Sequence, residues 1–170
     1  MIKDIITTKY GDLEGKAWNE VFQTDIRVSI SSENKLPYAK KCAEYFSNMS
    51  EEMVERLCKY CIRYCEEMRE LIGEDEVEVP ENIKGKEILS YIEPSVLIID
   101  EACDESIIEF HVECECDWEE EHGLEITIKD NKIIYVGSYD GMPPHQMSRI
   151  EYAGYYNENS EMNMNYVDKE

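Results

Sequence analysis

The residues from Ser106 to Trp118 alternate between apolar and polar side chains, which restricts the chain to folds with a half-buried strand at this position. Successive side chains of a strand point to opposite faces of its sheet, so the alternation separates an apolar face from a polar one. We expect the apolar face to pack on the core and the polar face to meet solvent. The apolar face carries Phe110, Val112, Cys114, Cys116 and Trp118, and the polar face carries His111, Glu113, Glu115 and Asp117.

Four further segments have the patterns of strands. Residues 124–129 and 132–138 flank Asp130-Asn131, a two-residue turn whose residues tolerate positive φ, and this arrangement predicts a hairpin. Residues 95–99 form an apolar run, and residues 25–31 alternate with a period of two. The C-terminal half of the chain is therefore predicted to form a β-meander.

Two helices are predicted between the N-terminal strands and the meander. The first covers residues 36–48, where apolar side chains recur at helical spacing. The second begins after Ser50, whose hydroxyl suits the N-cap, and ends before Gly73, which suits the position that follows a helix. Residues 82–92 are predicted to add a short third helix.

These elements predict an α+β fold. An antiparallel sheet of about six or seven strands, made of the N-terminal strands and the C-terminal meander, is expected to pack on two or three helices. Residues 1–141 are predicted to form a single domain, which suits a chain of 170 residues. Residues 142–170 begin near Pro143-Pro144 and are polar, so they are predicted to form a weakly structured tail.

Residues 100–128 contain twelve acidic side chains and no lysine or arginine, in a chain with a formal net charge of −22. Because phosphates attract lysine and arginine, this balance argues against binding to nucleic acid or to an anionic membrane surface. Concentrated like charge lowers the stability of a folded domain, and a basic partner or a cation offsets that loss. We therefore expect a basic protein as partner.

The compartment is predicted from the N-terminus and the cysteines. No positively charged segment followed by a long apolar run marks a signal peptide, and no apolar stretch approaches the roughly 18 residues of a membrane span. The chain has seven cysteines, an odd number, and it is long enough to form a hydrophobic core without disulfide bonds. These features predict a cytoplasmic protein with free thiols.

Three cysteines of the second predicted helix have the spacing of a redox or metal motif: Cys58, Cys61 and Cys65. All three fall on the apolar stripe of that helix, where free cysteine behaves as a small hydrophobe. Cys114 and Cys116 point away from His111 by strand alternation, so four converging zinc ligands are not expected. The sequence predicts no metal and no cofactor.

Two interpretations of Glu121-His122-Gly123 are open. A carboxylate beside a histidine at a turn is a candidate general acid–base pair, and with Asp117 it would form the centre of a metal-assisted or acid/base hydrolase. In the other interpretation the turn is structural: Gly123 adopts a positive φ, His122 bonds the loop backbone and Glu121 holds the imidazole. No nucleophile and no glycine-rich phosphate loop is visible in the sequence, so the structural interpretation is favoured.

The segment from Cys116 to Ile126 contains the core Trp118-x-x-Glu121-His122-Gly123 and precedes the predicted hairpin. With these residues the chain resembles an uncharacterised bacterial family, a domain of unknown function with a Trp-x-x-Glu-His-Gly signature. The resemblance covers most of the chain and implies no activity. Only by analogy is the family similar to small acidic immunity proteins found beside bacterial toxin genes.

The favoured function is therefore binding rather than catalysis. In its most specific form the protein is an immunity-like inhibitor of a basic bacterial toxin, and the alternative is the hydrolase described above. Charge complementarity would accelerate association with the partner. Trp118 is expected to be a core anchor. The predicted partner surface consists of Glu113, Glu115, Asp117, Glu119 and Glu120.

Overall fold

The computed structural model describes residues 1–73, 76–141, 143–145 and 165–168. Seven strands form one sheet whose strand order follows the sequence. They are β1 (Lys3–Thr7), β2 (Leu13–Asn19), β3 (Thr24–Ile30), β4 (Ile92–Ile99), β5 (Glu109–Cys116), β6 (Leu124–Lys129) and β7 (Lys132–Gly137). The predicted α+β fold with about seven strands is confirmed.

All neighbouring strands are antiparallel except β3 and β4, which run parallel. Parallel neighbours need a long crossover connection, and here the chain between them contains both α-helices. The prediction of an antiparallel sheet therefore holds for the N-terminal strands and for the meander separately. The parallel pair joins these two antiparallel units into one sheet.

The helices α1 (Leu36–Ser47) and α2 (Glu51–Ile72) begin and end close to the predicted positions. Ser50 caps α2 by accepting a hydrogen bond from the Met53 N–H at 3.3 Å, and Gly73 follows the helix with a φ of 107°. The predicted third helix is a 3-10 helix over Gly85–Tyr91. Among the described residues, no helix is both long and apolar enough to cross a membrane.

The helices cover one face of the sheet, which we call the inner face. The rings of Phe46 in α1 and Phe110 in β5 pack edge to face, with their centroids 5.6 Å apart. The rings of Tyr64 in α2 and Trp118 pack in the same way, with their centroids 5.9 Å apart. Trp118 is only 1% exposed, which confirms its place in the core. All seven cysteines are buried and free, including the three on α2.

The meander is stabilised at its hairpin turn and at its outer edge. Asp130 and Asn131 both have positive φ, at 48° and 59°, as the two-residue turn between β6 and β7 requires. At the free edge of β7, the Tyr166 N–H donates to the Val136 carbonyl at 2.9 Å. The ring of Tyr166 stacks on that of Tyr64 at 4.8 Å, and Tyr166 is 3% exposed. These contacts protect the edge strand.

The C-terminal segment 165–168 therefore packs on the body of the protein. Asp168 adds ion pairs with Arg63 at 2.6 Å and Lys59 at 2.8 Å, both on α2. Residues 146–164, most of the predicted tail, lie outside the described residues.

Candidate functional site

The outer face of the sheet, opposite the helices, presents a group of carboxylates. Glu113 and Glu115 lie on the outer face of β5, as the alternation predicts. In the strand register, Glu115 is directly opposite Glu93 of β4, and Glu113 is directly opposite Glu125 of β6. Like charges that face each other across a strand pair lower the stability of a sheet. The register thus concentrates charge in a way that the sequence alone did not show.

The acidic surface continues into the loop after β5. Asp117 and Glu120 are exposed there, and Glu93 and Glu115 are exposed on the strands, while Glu113 is half-buried. We call these five residues the acidic face. None of them takes part in an ion pair with another residue of the described ranges. Four of the five residues predicted to bind a partner belong to this face.

Glu119, the fifth residue of the predicted partner surface, lies inside the loop. It is 8% exposed, and its carboxylate accepts hydrogen bonds from the N–H groups of Glu121 at 3.2 Å and His122 at 2.8 Å. The imidazole Nδ1 of His122 lies 3.3 Å from the same carboxylate. The prediction that Glu119 extends the outer face was wrong, because the loop needs this side chain to satisfy its own backbone donors.

Gly123 closes the loop and has the predicted positive φ, at 66°. A Cβ atom at this position would lie 2.5 Å from the carbonyl oxygen of Cys114, closer than real Cβ contacts allow. The Gly123 N–H donates to the Glu119 carbonyl at 3.0 Å, and its own carbonyl accepts a hydrogen bond from the Tyr64 hydroxyl at 3.3 Å. These contacts give the Glu-His-Gly turn a structural role in joining the loop to β5 and α2.

The structure does not assemble the predicted hydrolase centre as expected. Glu119, rather than Asp117, lies beside His122, and Glu121 is exposed. Single ligand atoms of Glu119, Glu121 and His122 lie within 4.8 Å of one another, close enough to hold a cation. Such clusters of exposed acidic groups are common without one. Glu119 already accepts three hydrogen bonds, which leaves little of its lone-pair capacity for a metal or a substrate.

A second group of ionisable residues was missed by the sequence analysis. His111 is only 2% exposed, and its ring lies between two carboxylates. The Nδ1 atom is 3.1 Å from Glu125 Oε1, and the Nε2 atom is 3.4 Å from Asp100 Oδ2. The polar face of β5 was expected to meet solvent throughout, and at His111 that expectation was wrong.

The chain after β7 covers Glu125, the carboxylate that contacts His111. The N–H groups of Asp140 and Gly141 donate to Glu125 Oε2 at 2.9 and 2.8 Å, so this segment lies over the outer face of β6. Lys129 holds the segment further along, with its Nζ 3.4 Å from the Pro144 carbonyl oxygen. Periodicity could not reveal this cover, because the segment has no regular pattern after Gly141.

The carboxylates keep His111 protonated despite its burial. Desolvation lowers the pKa of the imidazole, but the hydrogen bonds and negative charges of Asp100 and Glu125 outweigh desolvation and raise the pKa to about 9. At neutral pH the group is therefore an imidazolium between two carboxylates. A histidine that is protonated at neutral pH is a poor general base there, so the arrangement fits a structural ion cluster better than a catalytic one.

Comparison with known proteins identifies a family for most of the chain. Residues 6–143 match the family described as "Domain of unknown function (DUF6985)". No curated protein matches the chain. No solved structure matches it either. The match agrees with the resemblance to an uncharacterised domain, and neither it nor the geometry names an activity.

Proposed function

We propose that this chain, which belongs to the DUF6985 family of unknown function, is a non-enzymatic binding protein whose acidic face recognises a basic protein. The observation that carries the proposal is the pair of Glu93 and Glu115. The two residues are directly opposite each other across β4 and β5, both are exposed, and neither has an ion-pair partner among the described residues.

The repulsion between these two carboxylates favours binding of a cationic partner. Cross-strand pairs contribute on the order of 0.2–1 kcal/mol each, and like charges directly opposite contribute with an unfavourable sign. A lysine or arginine placed over this face would interact with several carboxylates at once. Binding of a cationic surface therefore recovers free energy that the free fold lacks.

The position of the acidic face also suits recognition. Glu113 and Glu115 project from a strand in the middle of the sheet, and their inner neighbours Val112 and Cys114 are buried. Asp117 and Glu120 extend the charge into a loop that Glu119 and Gly123 hold rigid. A preorganised charge pattern loses little conformational entropy on binding, which favours affinity.

The most specific form of the proposal is an immunity-like inhibitor of a basic toxin in the bacterial cytoplasm. The analogy with acidic immunity proteins supports this form, and the seven buried, free cysteines suit a reducing compartment. Electrostatic attraction would speed association with the toxin, which is what an inhibitor of a damaging enzyme needs.

The hydrolase alternative is less well supported by the geometry. Its general base would be His122, whose contact with Glu119 belongs to a loop that uses the same carboxylate for two backbone donors. Its third member, Asp117, takes no part in this group of contacts.

Affinity capture from the source organism tests the proposal. The wild-type chain and the D117K/E120K variant serve as baits, because both residues are exposed and neither carboxylate takes part in an ion pair within the described residues. The E78K/E81K variant is the matched control, with the same change of charge at two exposed residues in the loop after α2.

We expect a basic protein that the wild type and the control retain and that D117K/E120K loses. Raising the salt from ~0.05 to ~0.5 M should release this protein, since salt screens charges beyond a Debye length of about 8 Å already at ~0.15 M. A partner retained equally by all three baits would show that the acidic face is only a solvated surface.

A further inference from the structure

The outer face of the N-terminal strands carries three cations in one row. Lys3 of β1 is directly opposite Lys16 of β2, and Lys16 is directly opposite Arg27 of β3. All three side chains are exposed. Arg27 is in turn opposite Val96 of β4, which is only 3% exposed, so the row of charge ends there. We call these three cations the basic row.

The basic row is not neutralised by ion pairs. Like charges directly opposite each other lower the stability of a sheet, and the row contains two such pairs. Glu14 and Asp25 lie on the same face, one on each side of the row, but neither forms an ion pair with it within the described ranges. Three adjacent cations do not follow from the composition either, because the chain carries a net charge of −22.

Exposed apolar side chains lie on both sides of the basic row. Trp18 follows Lys16 by two residues on β2, so both side chains point outward, and Trp18 is 41% exposed. The rest of Trp18 is covered by the protein, so a ligand that contacts the ring restricts it little further. On the other side of the row, Ile6 of β1 is 61% exposed. Tryptophan and arginine are both enriched at protein–protein interfaces and among the residues that dominate binding energy.

We propose that the basic row and Trp18 bind an acidic segment of a protein partner. The carboxylates of this segment lie over Lys3, Lys16 and Arg27, and each carboxylate offsets the repulsion between two neighbouring cations. An apolar side chain beside the carboxylates packs on the ring of Trp18 and removes part of its exposed surface from water. The contact thus combines charge complementarity with apolar burial, as specific interfaces do.

The dimensions of the basic row limit the length of the acidic segment. Neighbouring strands are about 4.8 Å apart, so the row spans roughly 10 Å from β1 to β3. Glu14 and Asp25 each lie two residues along a strand from the row, which corresponds to about 7 Å. A cluster of roughly two or three carboxylates fits between these two acids, whereas a longer polyanion meets them. Because the charge of a nucleic acid backbone is continuous, this frame favours an acidic protein segment.

The site is separate from the acidic face. The acidic face lies on β4, β5 and the loop that follows β5, whereas the basic row and Trp18 lie on β1 to β3. The two surfaces attract opposite charges and therefore different parts of a partner, or different partners. The inference does not rest on the proposed function, because its test changes residues of the N-terminal strands alone. Failure of either proposal leaves the other untouched.

Selection from a displayed library of random peptides, with the wild-type chain as target, tests the site. The enriched peptides are then measured against K16Q/R27Q, which removes two charges of the basic row. The K40Q/K41Q variant is the matched control, because it makes the same change of charge at two exposed lysines of α1. Far-ultraviolet circular dichroism verifies the fold of each variant.

Tryptophan fluorescence locates the bound peptide on the protein. The chain has two tryptophans, and Trp118 is only 1% exposed, so a ligand on the outer face of the N-terminal strands changes the emission of Trp18. Titration of the wild type with an enriched peptide should shift the emission to shorter wavelength, because the peptide removes the Trp18 ring from water. The W18F variant should show no such shift.

We expect the library to yield peptides that combine aspartate or glutamate with an apolar residue. They should bind the wild type and K40Q/K41Q equally, and K16Q/R27Q at least about fivefold more weakly. Failure to enrich any peptide, enrichment of peptides without acidic residues, equal affinity for K16Q/R27Q and the control, or an emission shift that persists in W18F would each overturn the proposal. Tighter binding of oligothymidylate than of the peptides to the basic row would overturn the choice of a protein as ligand.

Discussion

Raising the pH should destabilise the fold through His111. The pKa of a histidine in an unfolded chain is about 6.5, whereas the two carboxylates raise the folded pKa of His111 to about 9. The stabilisation is therefore complete below pH ~6.5 and is lost as the pH rises through about 9. With about 1.4 kcal/mol for each of the roughly 2.5 units between the two pKa values, the loss is at most ~3.5 kcal/mol.

Urea unfolding of the wild type and of H111Q at pH 6 and 9.5 measures this loss. Glutamine does not titrate, so the difference in unfolding free energy between the two proteins isolates His111 from every other group that ionises over this range. The variant also leaves Glu125 and Asp100 without their cation, which should cost several kcal/mol at pH 6. The difference should shrink by about 2–3 kcal/mol at pH 9.5. A difference independent of pH would refute the charged state assigned to His111.

Three further predictions concern stability and thiol chemistry. Gly123→Ala should lower the unfolding free energy by about 2 kcal/mol or more. The loss should exceed that of Gly85→Ala, because Gly85 shares the positive φ but has open space where a Cβ would lie. Equal losses in the two variants would contradict the close approach of Gly123 to Cys114. Tyr166→Ala should lower the free energy of unfolding by about 3 kcal/mol, because a buried ring is removed, and an unchanged denaturation midpoint would show that the C-terminal segment does not belong to the fold. The three thiols of α2 belong to Cys58, Cys61 and Cys65, and burial raises the pKa of each one. In native protein at pH 8 they should therefore react slowly with a disulfide reagent, and rapid modification without denaturant would contradict this.

Local patterns predicted the parts of the fold that depend on neighbouring residues. The Asp130-Asn131 turn, the N-cap at Ser50 and the inward direction of Trp118 each follow from turn chemistry, capping or strand alternation. The positive φ of Gly123 also follows from its place in a tight turn. These features are determined within a few residues of the chain, so a single sequence is enough to predict them.

Features that depend on distant segments were not predictable in this way. Asp140 and Gly141 bond to Glu125, the partner of His111, across 15 and 16 residues of the chain, and no periodic pattern predicts that contact. Glu119 turns inward because two N–H groups of its own loop need an acceptor, whereas the predicted partner surface placed it outside, in the loop. The parallel register of β3 with β4 likewise joins strands that both helices separate along the chain.

The rate of association with the captured basic partner, measured by stopped-flow fluorescence over a series of salt concentrations, tests the recognition role of the acidic face most directly. The wild type and E78K/E81K should associate with rate constants that fall steeply as salt rises. The D117K/E120K variant should associate at least several-fold more slowly at low salt and show a flatter dependence, with an unchanged circular dichroism spectrum. Equal rate constants and equal salt dependence for all three proteins would contradict the assignment of the acidic face as the binding surface.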